Sequence, residues 1–188
     1  MVKAIKVMLI PNNVQKTKMF QYAGASRFAY NWALAREKEN YEKGGKFISD
    51  SELRKEFTKL RHSDEYAWLL NISNNVTKQA IKDACTAYKN FFKGLQKFPR
   101  FKSKKRSMPK FYQDNVKIQF SNTHVKFEGF SSSRKANKQK MNWVRLAEHG
   151  RIPTDVKYMN PRISFDGLNW WILSLIHISE PTRPRLIS

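Results

Sequence analysis

The side chains of this sequence best suited to chemistry are cations, and they crowd into one stretch. Lys97, Arg100, Lys102, Lys104, Lys105, Arg106 and Lys110 fall within a segment that holds no carboxylate. Rings bracket them, with Phe98 and Phe101 on one side and Phe111 and Tyr112 on the other. Guanidinium and ammonium groups neutralise phosphates while flat rings stack on bases, so Lys97, Phe98, Arg100, Phe101, Lys102, Lys104, Lys105, Arg106, Lys110 and Tyr112 form a candidate nucleic-acid surface. A polar loop over 131–139 adds Arg134, Lys135 and Lys138 to the set. The plainer reading is a solvated basic linker, since blocks of like charge are often disordered. Position argues against it, because residues 98–112 separate two halves of different pattern. Pro99 and Pro109 lack amide donors and exclude a long helix there.

Other chemistries are not signalled. Cys85 is the single cysteine, so the chain has neither a disulfide nor a cysteine-ligated zinc site. His62, His124, His149 and His177 are scattered without ligand spacing. Asp166 precedes Gly167, and both tolerate the positive φ of a tight turn, which outweighs a catalytic role. No catalytic residue, metal ligand or cofactor is therefore assigned to this chain, nor any small-molecule substrate. The formal net charge of +21 over 188 residues opposes a compact state unless a polyanion neutralises it, which makes nucleic acid the default partner. An anionic membrane is the competing polyanion. No uncharged run approaches the roughly 18 apolar residues of a spanning helix. Lys3 and Lys6 interrupt the first apolar run, which is too short for a signal peptide. The expected location is the cytoplasm, at the nucleoid when bound to DNA. Apolar content of 40% and aromatic content of 13% exclude disorder over most of the chain.

Periodicity then places these residues on elements. Residues 2–10 read as a strand stopped by Pro11. Phe20, Ala23, Arg27, Phe28, Asn31, Leu34 and Ala35 recur at helical spacing over 15–43, ahead of Gly44 and Gly45. Ser49 through Glu52 is a capping-box signature opening a second helix with Leu53, Phe57 and Leu60 inward. Residues 64–70 suggest one more short helical turn. Asn74 or Asn75 caps a third helix buried through Val76, Ala80, Ala84, Ala87, Tyr88, Phe91 and Leu95. Beyond residue 112 the period becomes two. Val116, Ile118 and Phe120, then Val125 and Phe127, alternate, and 143–146, 156–159, 162–165 and 169–172 are further strands. The first strand is cut off from its sheet by the whole helical block.

These residues resemble the N-terminal half of the TnpB/OrfB transposon proteins, RNA-guided nucleases related to type V CRISPR effectors. The likeness rests on residues 6–11, on Arg27, Phe28, Ala29, Tyr30 and Asn31, and on 84–93. It continues through 98–104, 125–127, 143–146 and 149–153, in the family's order over about residues 1–172. The resemblance implies an α+β chain in which a wedge-type β-barrel (1–12 and 113–172) is interrupted by a helical recognition bundle (13–97), with 98–112 as a basic connector. It also implies a guide RNA and target-adjacent DNA as partners. The family's N-terminal region carries a helix-turn-helix designation. Helices over 15–43 and 51–60 fit it, apart from a linker longer than that motif's usual turn.

Family members continue into a RuvC-like nuclease domain whose carboxylates hold two metal ions, and a cysteine-ligated zinc ribbon. Asp114, Glu128, Glu148, Asp155, Asp166 and Glu180 match none of those positions. The chain is thus expected to bind without cutting, with magnesium and zinc belonging only to the missing part. Residues 173–183 resemble a translated sequencing adapter, so 173–188 is expected to be an appended tail. Two alternatives stay open: a helix-turn-helix DNA-binding module that acts without RNA, and a structural RNA-binding protein of ribosomal type.

Overall fold

The chain starts in a sheet, leaves it for a set of helices, and returns. Strand β1 (Val2–Ile10) leads into α1 (Asn13–Glu42), α2 (Asp50–Leu60), a 3-10 helix (Asp64–Asn71) and α3 (Asn74–Phe92). Then come β2 (Lys110–Tyr112), β3 (Gln119–Phe120), β4 (His124–Lys126), β5 (Trp143–Leu146), β6 (Tyr158–Phe165) and β7 (Trp170–His177). The computed structural model describes residues 2–130, 141–154 and 156–177.

Caps explain the helix starts. The Asn12 side chain accepts from the Gln15 amide at 2.9 Å, while Gln15 Oε1 accepts from the Asn12 amide at 3.0 Å, a reciprocal box that opens α1. Ser49 and Glu52 repeat it for α2. For α3 the cap is Ser73, whose Oγ accepts from the Asn75 amide, one residue ahead of the expected asparagines. Gly44, at φ 73°, supplies the left-handed residue that follows α1.

The burial of α1 departs from the single stripe that its sequence suggests. Met19, Tyr22, Ala25, Ala29 and Ala33 are buried beside Ala23 and Leu34, whereas Ala35 and Phe20 are exposed. The cause is that α1 is covered on several sides. It packs along α3, touches β2, and sets Phe28 and Trp32 against Phe57 of α2. The alanines let these neighbours approach closely.

Seven strands form one antiparallel sheet in the order β2-β6-β7-β1-β5-β4-β3. β1 pairs with β7 from Val2↔His177 to Leu9↔Trp170, but with β5 only at Leu9 and Ile10. The architecture is α+β as expected, yet the sheet does not close into the expected barrel. Edge strands β2 and β3 do not pair, and β3 and β4 are only two and three residues long, too short for the stagger that closure needs. Side chains bridge the gap instead: Phe120 of β3 packs on Tyr158 of β6, with ring centroids 4.2 Å apart.

Other local differences have local causes. Val116 is 82% exposed and not in a strand, because the Asp114 carboxylate accepts the Val116 and Lys117 amides and bends the chain into a turn. The strands expected over 156–159 and 162–165 are one strand, β6, with a bulge where Asn160 takes φ 49° ahead of Pro161. Asp166 does make a turn. Its carboxylate accepts the Leu168 and Asn169 amides and the Trp171 indole N–H, which hold its pKa down at about 2.

The segment expected to be an appendage from residue 173 does have packing partners. Residues 173–177 lie in β7, opposite Val2 to Lys6, and bury Ser174 and Ile176. Residues 178–188 lie outside the described residues. A chain truncated after His177 serves as the reference. Deleting 173–188 removes the Ile176 burial, roughly 2–3 kcal/mol, and should lower Tm by roughly 5–10 °C. Equal melting curves for the two truncations would show that the outer half of β7 adds nothing.

Candidate nucleic-acid interface

The basic connector is laid across α1 and α3, and each of its ends is anchored. It leaves α3 through Gly94, and the Phe98 ring then turns edge-on to Tyr88 and Phe91 at 5.8 and 5.2 Å. Pro99 is buried beneath it. At the far end β2 pairs with β6, and Phe111 stacks on Tyr22 of α1 with centroids 5.5 Å apart.

Midway, a single side chain holds the backbone. The Asn31 carboxamide donates to the Lys102 carbonyl and accepts from the Lys102 amide, both at 2.8 Å. This two-bond clamp replaces a strand partner that an irregular segment lacks. One residue on, Ser103 starts a turn. Its carbonyl accepts the Ser107 amide at 2.9 Å and its hydroxyl accepts the Arg106 amide at 3.2 Å. Lys104, Lys105 and Arg106 therefore sit on the crest of that turn, all exposed.

The expected surface residues divide into two groups. Lys97, Arg100, Phe101, Lys104, Lys105, Arg106 and Lys110 are exposed. None of these cations forms an ion pair among the described residues; the pairs present join helix neighbours, Arg36 of α1 to Glu56 of α2, Arg151 to Glu148, and Arg162 to Asp83. Phe101 is 51% exposed and meets no other ring among the described residues. The second group is engaged in the fold. Phe98 is 41% exposed, yet its ring packs on α3 as described. Tyr112 donates to Asn115 Oδ1 and lies under the Arg162 guanidinium, which is 5.4 Å from its ring centre. Arg162 is itself fixed by two hydrogen bonds to Asp83, at 2.6 and 3.1 Å. Lys102 sets its ammonium 3.3 Å from the centre of the Tyr30 ring. Burial, helped by the charge of Lys110, pulls its pKa down to about 8. Arg134, Lys135 and Lys138 lie outside the described residues.

Pattern reading missed the residues that do the positioning, namely Asn31, Tyr30, Asp83 and Arg162. A polar residue inside an apolar helical stripe, as Asn31 is, was the available signal. The described acidic residues of the second half are committed elsewhere, while Asp155 and Glu180 lie outside the described residues. Asp114 and Asp166 make turns, Glu148 pairs with Arg151, and Glu128 accepts from Ser73 and Asn75. No three His, Cys, Asp or Glu side chains among the described residues converge as a metal site. No described helix is long and apolar enough to cross a membrane.

A family model described as a helix-turn-helix domain, of the OrfB type, matches residues 1–46, which here comprise β1 and α1. Over 182 residues, 97% of the chain, the sequence is 30% identical to "Putative RNA-guided DNA endonuclease InsQ" of Escherichia coli (strain K12). It is 25% identical over 174 residues, 93% of the chain, to a Streptomyces pristinaespiralis protein of the same designation. It is also 30% identical over 113 residues to virulence protein VsdF of Salmonella dublin, matching 95% of that protein and 55% of this chain. The chain spans 42% and 41% of the two endonuclease-named relatives. Scaffold and matches together place the chain in a transposon-associated class of protein. Within that class, the chain belongs to the TnpB/OrfB family.

Two tests follow from this geometry. Phe98→Ala should lower Tm and leave affinity per folded molecule intact, while Phe101→Ala should keep Tm and cost roughly 1–3 kcal/mol of nucleic-acid binding. The reverse pattern would exchange their roles. The second test concerns Lys102, whose folded pKa of about 8 lies below the ordinary 10.5. The cost of burying its charge is present in full below pH 8 and fades as pH rises from about 8 to about 10.5. Wild-type stability should therefore gain on Lys102→Met across that window, measured as denaturant midpoints. Parallel pH profiles would refute the burial of a charged ammonium.

Proposed function

We propose that this chain is the guide-RNA and target-DNA binding half of a TnpB-like RNA-guided endonuclease. The helical part (13–97) acts as the recognition bundle, and the sheet residues (1–12 and 113–172) act as the wedge. The observation that carries this reading is the connector. Its exposed cations form no ion pair among the described residues, yet its backbone is held by Asn31 and its ends by Phe98 and β2. A floating basic linker would lose conformational entropy on binding. A pinned one presents its charges already ordered, and so keeps more of its contact energy as affinity. The names of the two long relatives support RNA as well as DNA for the same surface. Binding of that kind places the protein in the cytoplasm, on nucleoid DNA.

Replacing Lys104, Lys105 and Arg106 together with alanine tests the reading. About 0.7 counterions are released per single-strand phosphate, so three lost contacts should flatten the log–log salt dependence of RNA binding by roughly 2. An unchanged slope would reduce the crest of the turn to a solvated surface. A wild-type chain that binds duplex DNA but no RNA would favour the helix-turn-helix module acting alone.

A further inference from the structure

A glycine inside α1 has no structural explanation. Gly24 lies in the middle of a 30-residue helix, where glycine is markedly less favourable than alanine. Its backbone has no positive φ to require glycine, and a Cβ built on it would meet nothing within 4 Å. Neither conformation nor packing asks for the missing side chain. What lies over it is an open groove of about 470 Å³ between α1 and the 3-10 helix.

The groove is chemically specific. Lys18, Gln21, Gly24 and Arg27 line it from α1, and Trp68 and Asn71 line it from the facing segment. No carboxylate lines it. The side chains of Lys18, Gln21, Arg27 and Asn71 make no hydrogen bond or ion pair with any described residue. Trp68 is 46% exposed, and its ring is held edge-on by Phe28 with centroids 5.7 Å apart. The buried Arg61 guanidinium donates to the carbonyls of Leu69 and Ile72, at 2.9 and 3.2 Å, and so braces the chain just beyond Trp68. The wall bearing the indole is therefore built, not mobile by default.

We propose that this groove takes one unstacked nucleobase of a single strand. The base would lie over Gly24 against Trp68, its edge would meet the carboxamides of Gln21 and Asn71, and flanking phosphates would meet Lys18 and Arg27. Each part has its physical reason. Every base has a face that stacks on an indole. A carboxamide offers both donor and acceptor to a base edge. Absence of a Cβ permits close approach of a flat ring to the helix backbone. Lys18 and Arg27 both line the groove; nine residues apart, they sit about 13 Å apart along the axis and about half a turn around it, so their long side chains reach the groove from opposite rims. Arg27 also lines the cleft under the connector beside Lys102 and Lys110, so the groove continues the basic surface already described. The proposal rests on the nucleic-acid reading and adds a base-recognition site to it.

The test uses the full chain and fluorescence anisotropy with labelled 12-nucleotide oligo(U) and oligo(dT), each beside an abasic strand of equal length. Gly24→Ala should raise Tm by a few degrees and weaken the base-bearing strand about tenfold, with abasic binding unchanged. Trp68→Ala should weaken the same strand similarly, and Trp68→Phe should restore most of it. Whichever of the two base-bearing strands is affected more identifies RNA or DNA as the source of the base. Wild-type affinity in both Gly24→Ala and Trp68→Ala overturns the site, and equal weakening of the base-bearing and abasic strands overturns base recognition. Failure of the wild type to bind any strand would instead remove the nucleic-acid reading itself.

Discussion

Buried backbone groups need hydrogen-bond partners, and in this protein α1 supplies them to segments that cannot supply their own. Gln15 donates to the carbonyls of Met141 and Trp143, which fixes β5. Tyr22 donates to the Glu128 carbonyl, its ring stacked between Phe111 and Phe130. Asn31 clamps Lys102, and Glu37 accepts the Ile48 amide ahead of α2. Burial marks these groups electrically: the Tyr22 phenol is pushed up to about 12 and the Glu37 carboxyl up to about 6. Sheet, connector and second helix are each positioned against one helix, which is why that helix is buried on several sides.

This arrangement reconciles charge with order. A segment as cationic as 98–112 would repel itself into disorder if nothing held it. Aromatic packing at Phe98, the carboxamide clamp at Lys102 and strand pairing from Lys110 hold it without neutralising it. The cation nearest the core, Lys102, gives way by a lowered pKa over the Tyr30 ring. Lys97, Arg100, Lys104, Lys105, Arg106 and Lys110 face solvent, where a phosphate backbone can meet them.

The sheet has a related role. β1 is central, between β7 and β5, so the two ends of the described chain meet there and the helices between them form one excursion. The region matched by the helix-turn-helix family model therefore combines the central strand with the clamping helix. Stability and presentation of the basic surface both pass through those residues.

Much of this was legible in the sequence because it is local. The strand over Val2–Ile10, the capping box at Ser49, the Asp166–Gly167 turn and the acid-free basic stretch each depend on neighbours a few residues apart. Family likeness supplied the rest of the order of elements. Tertiary structure alone decided which connector residues the fold engages. The chemistry of Phe98 and Phe101, or of Lys102 and Lys104, is the same in the sequence, and only contact with Tyr88, Phe91, Tyr30 and Asn31 separates them. It also decided that the sheet stays open, since closure depends on strand lengths and stagger across the molecule. The groove over Gly24 was invisible for the same reason: its walls come from segments some forty residues apart, and periodicity within one helix says nothing of what faces it.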